Sequence, residues 1–281
     1  MKRRKIICRL IALVIVFAVM TGCSSDVNQP TSAGAGLDKL GEIVVVSREV
    51  GSGTREIFVN DIGIYDTSAG VDQTRSDAVI SISSEDVVDV VGANKSAIGY
   101  VSKGVLEKSI SDQIHEVTVD GRSGLERSFY IAYSGQLSEL EQDFITYVTG
   151  AGQEIVSRNY TAVKKSVSFL SSKPSGRIRI GGSSSVAGLM QELVDDYMKK
   201  NPNASIEIVV TDSTEGLTGA MSGSYDLAMS SRDLKDYEQE LLSYESIARL
   251  CQCRTYDVAT GDFHNFGCKH WYNYDSANYS F

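Results

Sequence analysis

Three short turns rich in glycine and hydroxyl residues stand out in the chain. They are Gly51-Ser52-Gly53-Thr54, Gly181-Gly182-Ser183-Ser184-Ser185 and Asp212-Ser213-Thr214-Glu215-Gly216. Each follows a strand-like run and leads into a segment with helical patterning. The first N–H groups of a helix lack internal acceptors and lie at the positive end of its dipole. Glycine lets the backbone come close to a ligand, and Ser and Thr hydroxyls add donors. Arg48 precedes the first turn and Arg232 follows a later serine pair; a guanidinium fork can bond two oxygens at once. Such groups, brought together, would surround a tetrahedral oxyanion. Helix capping alone explains any one of these turns, so the weight rests on three turns combined with two Ser-Arg pairs.

Other chemistries fit less well. The Gly-x4-Gly-Lys-Ser/Thr spacing of a P-loop is absent, and no lysine follows any of the turns. "GGSSSVAG" does not put a serine into Gly-x-Ser-x-Gly, so a serine-hydrolase elbow is excluded. His115 falls in a strand-like run and reads as a surface or edge residue. With no histidine or cysteine nucleophile and no metal-carboxylate cluster in the body, an enzyme acting on phosphate esters is disfavoured. The chain reads as a binder, not an enzyme, with no cofactor and no resident metal.

The elements that must position these turns alternate between strand and helix. A strand over 42–47 leads through the first turn into a helix over 55–62. A helix over 85–91, a strand within 96–104, strands at 114–119 and 128–133 and an amphipathic helix over 137–148 follow. "SSKPSG" (171–176) reads as a linker. Beyond it, strand 177–180, helix 186–199, strand 205–210 and a short strand within 225–234 repeat the pattern. This predicts an α/β fold with one lobe over 39–170 and a half-lobe over 177–248. The last 33 residues, 249–281, differ from the rest: they hold three of the five cysteines, two of the three histidines and the only Trp. Without an apolar run longer than two residues, they read as an aberrant tail that leaves the second lobe incomplete. Cys251-x-Cys253 with Cys268-x-His270 would supply four zinc ligands. That one-residue spacing is tight for zinc, however, and a poorly packed tail is the preferred reading.

The chain opens with an export signal over 1–23. Lys2, Arg3, Arg4, Lys5 and Arg9 form a basic region, Leu10 to Met20 an apolar one, and Thr21-Gly22 lead to Cys23. Small residues before a cysteine mark lipidation at Cys23, and 24–38 then serve as a flexible tether. The formal net charge of −9 becomes more acidic still once the basic leader is removed. That disfavours nucleic acid as a partner but not a small anion held by local donors. No cysteine lies between Cys23 and Cys251, so the body depends on no disulfide.

"SREVGSGTREIF", "AIGYVSKG", "IGGSSSVAGLM", "NPNASIEIVVTDSTEGLTGA" and "YDLAMSSRDLKDYE" resemble the substrate-binding lipoproteins of phosphate ABC transporters, the PstS type. The resemblance covers residues 40 to 248. It implies a two-lobed type II periplasmic-binding-protein fold that closes over inorganic phosphate. It also implies an ABC transporter permease as partner and a lipid anchor on the outer face of the bacterial cytoplasmic membrane. Carried over by motif, the ligand residues are Arg48, Ser52, Gly53, Thr54, Ser184 and Ser213, with Asp212 and Arg232 as further candidates. Two departures stand out. Arg232 occupies the place where many family members carry an Asp that accepts the phosphate proton, so Asp212 or Glu215 would have to take that role. The "GSGT" half also precedes the "GSSSV" half, the reverse of the usual family order, as in a permuted chain. A truncated, non-functional fragment and a binder of another oxyanion such as sulfate are the competing readings.

Overall fold

The computed structural model describes residues 42–109, 114–117, 125–253 and 256–259. The leader with Cys23, the tether 24–38 and the Cys268-x-His270 part of the tail lie outside these residues.

The first lobe begins with β1 (Val44–Arg48), α1 (Gly53–Asp61) and a small hairpin of β2 (Tyr65–Asp66) and β3 (Val71–Asp72). It continues with β4 (Val79–Ser81), α2 (Ser84–Ala93), β5 (Ala97–Val101), α3 (Lys103–Ser109) and β6 (His115–Val117). The second lobe runs through β7 (Leu125–Tyr133), α4 (Glu139–Thr149), α5 (Gln153–Asn159), β8 (Gly176–Ser183) and α6 (Ser184–Lys200). It is completed by β9 (Ala204–Thr211), α7 (Ser213–Ser222), β10 (Leu227–Ser230), α8 (Asp236–Leu241) and β11 (Ser243–Cys253). Finally β12 (Tyr256–Ala259) carries the chain back to the first lobe.

Each lobe is built on a five-stranded mixed sheet, in the order β4-β1-β5-β12-β6 for the first and β11-β7-β10-β8-β9 for the second. Within the first, β4, β1 and β5 are parallel and β12 runs antiparallel to β5 and β6. Within the second, β10, β8 and β9 are parallel while β7 and β11 run antiparallel. Strands buried on both faces need unbroken apolar sequence, and Ala97-Ile98-Gly99-Tyr100-Val101 is buried throughout. In the first lobe Val87 and Val91 of α2 pack on Val46, Ala97 and Val101. On the other side of that sheet, Phe58 of α1 stacks on Tyr100 with ring centroids 4.0 Å apart. The second lobe has the larger core, formed by Phe129, Phe144, Tyr147, Leu193 and Tyr197 under α4, α5 and α6. Leu217 and Ala220 of α7 cover the opposite face against Ala132 and Ala228.

The lobes divide elsewhere than the sequence suggested. The change of sheet falls between Val117 and Leu125, so β7, α4 and α5 belong to the second lobe. Residues 171–175 are a loop inside that lobe that leads into β8, and Asn201 Nδ2 donates to Pro174 O there (2.9 Å). Nor does the fold stop at residue 248. Arg249 and Thr161 exchange backbone hydrogen bonds of 2.8 and 2.7 Å, and β11 continues to Cys253. Residues 256–259, read as part of a foreign tail, form the strand between β5 and β6. A second lobe expected to be incomplete therefore has a five-stranded sheet with helices on both faces. Apolar run length missed these strands because β11 gains its order from a long antiparallel ladder with β7.

Candidate functional site

Four strand-to-helix turns meet between the lobes, at the carboxyl ends of the parallel strands β1, β4, β8 and β9. Open α/β sheets bind ligands in this position. The side-chain oxygen of Ser52 caps α1, that of Ser83 caps α2 and that of Asp212 caps α7; each accepts a backbone N–H. Ser183 stands at the head of α6. Three of these turns are the ones singled out from sequence. The fourth, before α2, was not.

Arg48 is 1% exposed at the end of β1. Its Nη1 donates to Ser84 Oγ (2.8 Å) and its Nη2 to Ser184 Oγ (3.1 Å), so one guanidinium spans both lobes. Its Nε and Nη2 also grip the Glu49 carboxylate at 2.7 and 2.6 Å. From behind, the Tyr100 hydroxyl accepts the Arg48 backbone N–H (3.1 Å) and shares a hydrogen bond with Ser47 Oγ (2.8 Å). Burial pushes the Tyr100 phenol up to about 12 even though the Ser47 hydroxyl and the Arg48 N–H favour its anion, so it stays neutral. Arg55 Nη1 donates to the Arg48 carbonyl (2.6 Å) and fixes the turn from the other side.

A chain of hydroxyls continues from Arg48. Ser84 Oγ lies 3.2 Å from Ser185 Oγ, which lies 2.8 Å from Thr54 Oγ1. Arg127 Nη1 donates to that same Thr54 oxygen (3.0 Å). A second group of hydroxyls lies over Gly53. An added Cβ there would stand 2.7 Å from Ser213 Oγ and 2.8 Å from Ser231 Oγ, which explains the glycine. The Ser231 N–H donates to Ser213 Oγ (3.1 Å), and Ser183 Oγ donates to Ser231 Oγ (2.9 Å). All of these groups are buried. The arrangement is a two-lobed cradle of helix heads and hydroxyls with guanidinium groups at its edge, suited to holding an oxyanion.

The residues predicted from sequence fall into two sets. Arg48, Ser52, Gly53, Thr54, Ser184 and Ser213 converge here. Arg232, the eighth candidate, passes beside Gly53 and donates to Thr214 Oγ1 (3.2 Å), but its charge is met by carboxylates. Its guanidinium turns to Glu238 through two 2.8 Å bonds and to Glu56 at 3.3 Å. Burial alone would raise the Glu238 carboxyl, but the Arg232 fork and the Lys235 N–H hold it below the usual range. Arg232 is thus half of a buried ion pair. Asp212 sits at the rim, where it caps α7 through the Glu215 N–H (2.8 Å). Its carboxylate packs against Gly51, whose φ of +103° and missing Cβ permit the approach. Asp212 and Glu215 also line a groove of about 870 Å³ shared with Arg55, Glu56, Asp72 and Lys235. Ser84, Ser185, Ser231 and Arg127 were missed. For Ser84 a signal existed: "SISSED" (81–86) is another serine-rich helix start.

A family model of a PBP superfamily domain matches residues 168–261. The phosphate-binding protein PstS 2 of Streptococcus pneumoniae serotype 4 is 37% identical over 220 residues, covering 74% of this chain and 76% of that one. The chain belongs to the PstS family. The PstS 2 protein of Streptococcus agalactiae serotype V is 32% identical over 252 residues, 85% of this chain and 83% of its own. A solved phosphate-binding protein of a phosphate ABC transporter from S. pneumoniae superposes with a TM-score of 0.60 at 34% identity. The match covers 81% of this chain and 92% of the solved one, in keeping with the two-lobed PstS architecture.

Proposed function

We propose that this protein binds inorganic phosphate outside the cytoplasm and hands it to an ABC transporter permease, without catalysing a reaction. The observation that carries the reading is the convergence of four helix heads and Arg48 from two lobes on one buried point. Hydroxyls that bond one another across the cleft, Thr54 to Ser185 and Ser84 to Ser184 and Ser185, are the donors that would turn to the anion. The N–H groups at the heads of α1, α6 and α7 would supply the rest. Neutral dipoles hold an anion in a desolvated site without an equal number of fixed charges.

Anchoring through a lipid on Cys23 belongs to the same reading. It is supported by the basic-apolar leader that ends on that cysteine and by the polar stretch that follows. Radiolabelled fatty acid incorporated by the intact chain, and lost from Cys23→Ser, is the outcome expected.

Sulfate is the second reading, and one observation favours it. Phosphate that keeps a proton needs an acceptor, which fully ionised sulfate does not. Glu49 is bonded to Arg48, and Asp212 is turned to Gly51 and the head of α7. Isothermal titration of the protein from residue 24 onward with phosphate, sulfate and arsenate separates the two. We expect phosphate and arsenate to bind and sulfate to bind far more weakly. Arg48→Met should lose about 100-fold or more in phosphate affinity, the cost of removing a charged donor from a buried site. Preference for sulfate would reverse the reading, and wild-type binding by Arg48→Met would remove Arg48 from the site.

A further inference from the structure

Arg127 has no role in the site as read so far, yet it touches its centre. It lies on β7, the strand that opens the second lobe, and is 7% exposed. The guanidinium sits 5.5 Å from the Phe129 ring centroid, and Nη1 reaches across to Thr54 Oγ1 at the head of α1 in the first lobe. A buried guanidinium that bonds a hydroxyl of the cradle is placed to be used there.

The hydrogen-bond directions show what that use is. A hydroxyl has one proton to give and two acceptor positions. Thr54 Oγ1 accepts from Arg127, so its proton must point elsewhere, to Ser185 or to a bound anion. Ser84 Oγ accepts from Arg48 Nη1. Ser184 Oγ accepts from Arg48 Nη2 and from the Ser84 N–H. Two guanidiniums, one at each end of the Ser84–Ser185–Thr54 chain, thereby present Ser84, Ser184 and Thr54 to the cleft as donors. Arg48 belongs to the first lobe and shares its fork with Glu49; Arg127 brings a second guanidinium from the opposite lobe.

We propose that Arg127 is the second cation of the cradle, a positioning residue that holds the Thr54 hydroxyl as a donor and favours a doubly charged oxyanion over a singly charged one. The proposal rests on the oxyanion-binding reading above. It is tested by titrating wild type, Arg127→Met, Arg127→Gln and Arg127→Lys with phosphate, below and above the second ionisation of phosphate. Melting curves without anion report whether each variant folds. Above that ionisation, the Met variant should bind about tenfold or more weakly. The Gln variant, which keeps a donor for Thr54 but not the charge, should fall between Met and wild type. The Lys variant should recover most of the loss. Below that ionisation, where the ligand carries one charge, the gap should narrow.

Met and Gln variants within about twofold of wild type at both pH values overturn the proposal. So does a Lys variant as weak as the Met variant, or a gap equal at both pH values, because the side chain would then only fill space. Wild type that binds none of phosphate, sulfate and arsenate sinks the oxyanion reading and the proposal with it. Wild type that prefers sulfate sinks only the phosphate assignment. The same variants are then titrated with sulfate, and equal affinities would again overturn the role of Arg127.

Discussion

At Gly53, van der Waals radii alone separate the cost of folding from the cost of closing. Its missing Cβ leaves room for the hydroxyls of Ser213 and Ser231, which belong to the other lobe. Within its own lobe, Gly53 is the first residue of α1, where alanine is the better helix former. Gly53→Ala should therefore leave the melting temperature without ligand within a few degrees of wild type, or raise it slightly. Phosphate affinity should fall about tenfold or more, because the methyl group meets two oxygens only when the lobes come together. Titration and melting curves on the same preparation check both halves. A large loss of stability without ligand would mean that the residue serves the lobe and not the closure.

Among the elements, α8 is short and is tied to the residues before it by a buried ion pair. Arg232, two residues past β10, and Glu238 on α8 are each 1% exposed along their side chains. The folded Glu238 carboxyl lies below its ordinary value. Its contribution to stability is therefore complete above the unfolded carboxyl range and is lost as pH falls through the folded value. Glu238→Gln should cost roughly 3 kcal/mol at neutral pH, with Glu56 the remaining carboxylate on Arg232. It should also flatten the loss of stability on acidification below about pH 4. Urea unfolding of both proteins at neutral and acid pH tests this; parallel acid limbs would count against the pair. The pair also gives Arg232 a partner that the sequence did not suggest. A Ser-Arg at a strand end looks like an anion contact, and only the fold brings Glu238 to it. The glycine-serine turns and Arg48 were legible because cap chemistry and position after a strand are local signals. Arg127 was not: a lone arginine in an apolar strand has no local mark, and its partner Thr54 is 73 residues away. The boundary between lobes was hidden for a related reason, since β7 pairs with β10 and β11 and these lie far along the chain.

For the whole molecule, the chain crosses from the first sheet to the second between Val117 and Leu125, and back between Cys253 and Tyr256. These two crossings among the described residues tie the lobes together while leaving the cleft contacts as the groups that register closure. Those contacts are polar: Arg48 to Ser184, Thr54 to Ser185, Thr214 Oγ1 to the Gly51 carbonyl (3.1 Å) and Glu56 to Lys235. Polar contacts made at the expense of hydrogen bonds to water add little net stability, so the closed form depends on what it encloses. A ligand held by both lobes stabilises only the folded, closed chain, and mass action fixes how much. Phosphate at one hundred times its dissociation constant contributes about 2.7 kcal/mol. For a chain of this size that should raise the melting temperature by roughly 5–10 °C. The rise should continue with the logarithm of phosphate concentration and be absent in Arg48→Met. A ligand held by one lobe alone would raise one of two separate transitions. Binding across the cleft should raise a single transition, because losing either lobe releases the anion. Calorimetric scans at stepped phosphate concentrations distinguish these outcomes, and two transitions of which only one responds would confine the site to a single lobe.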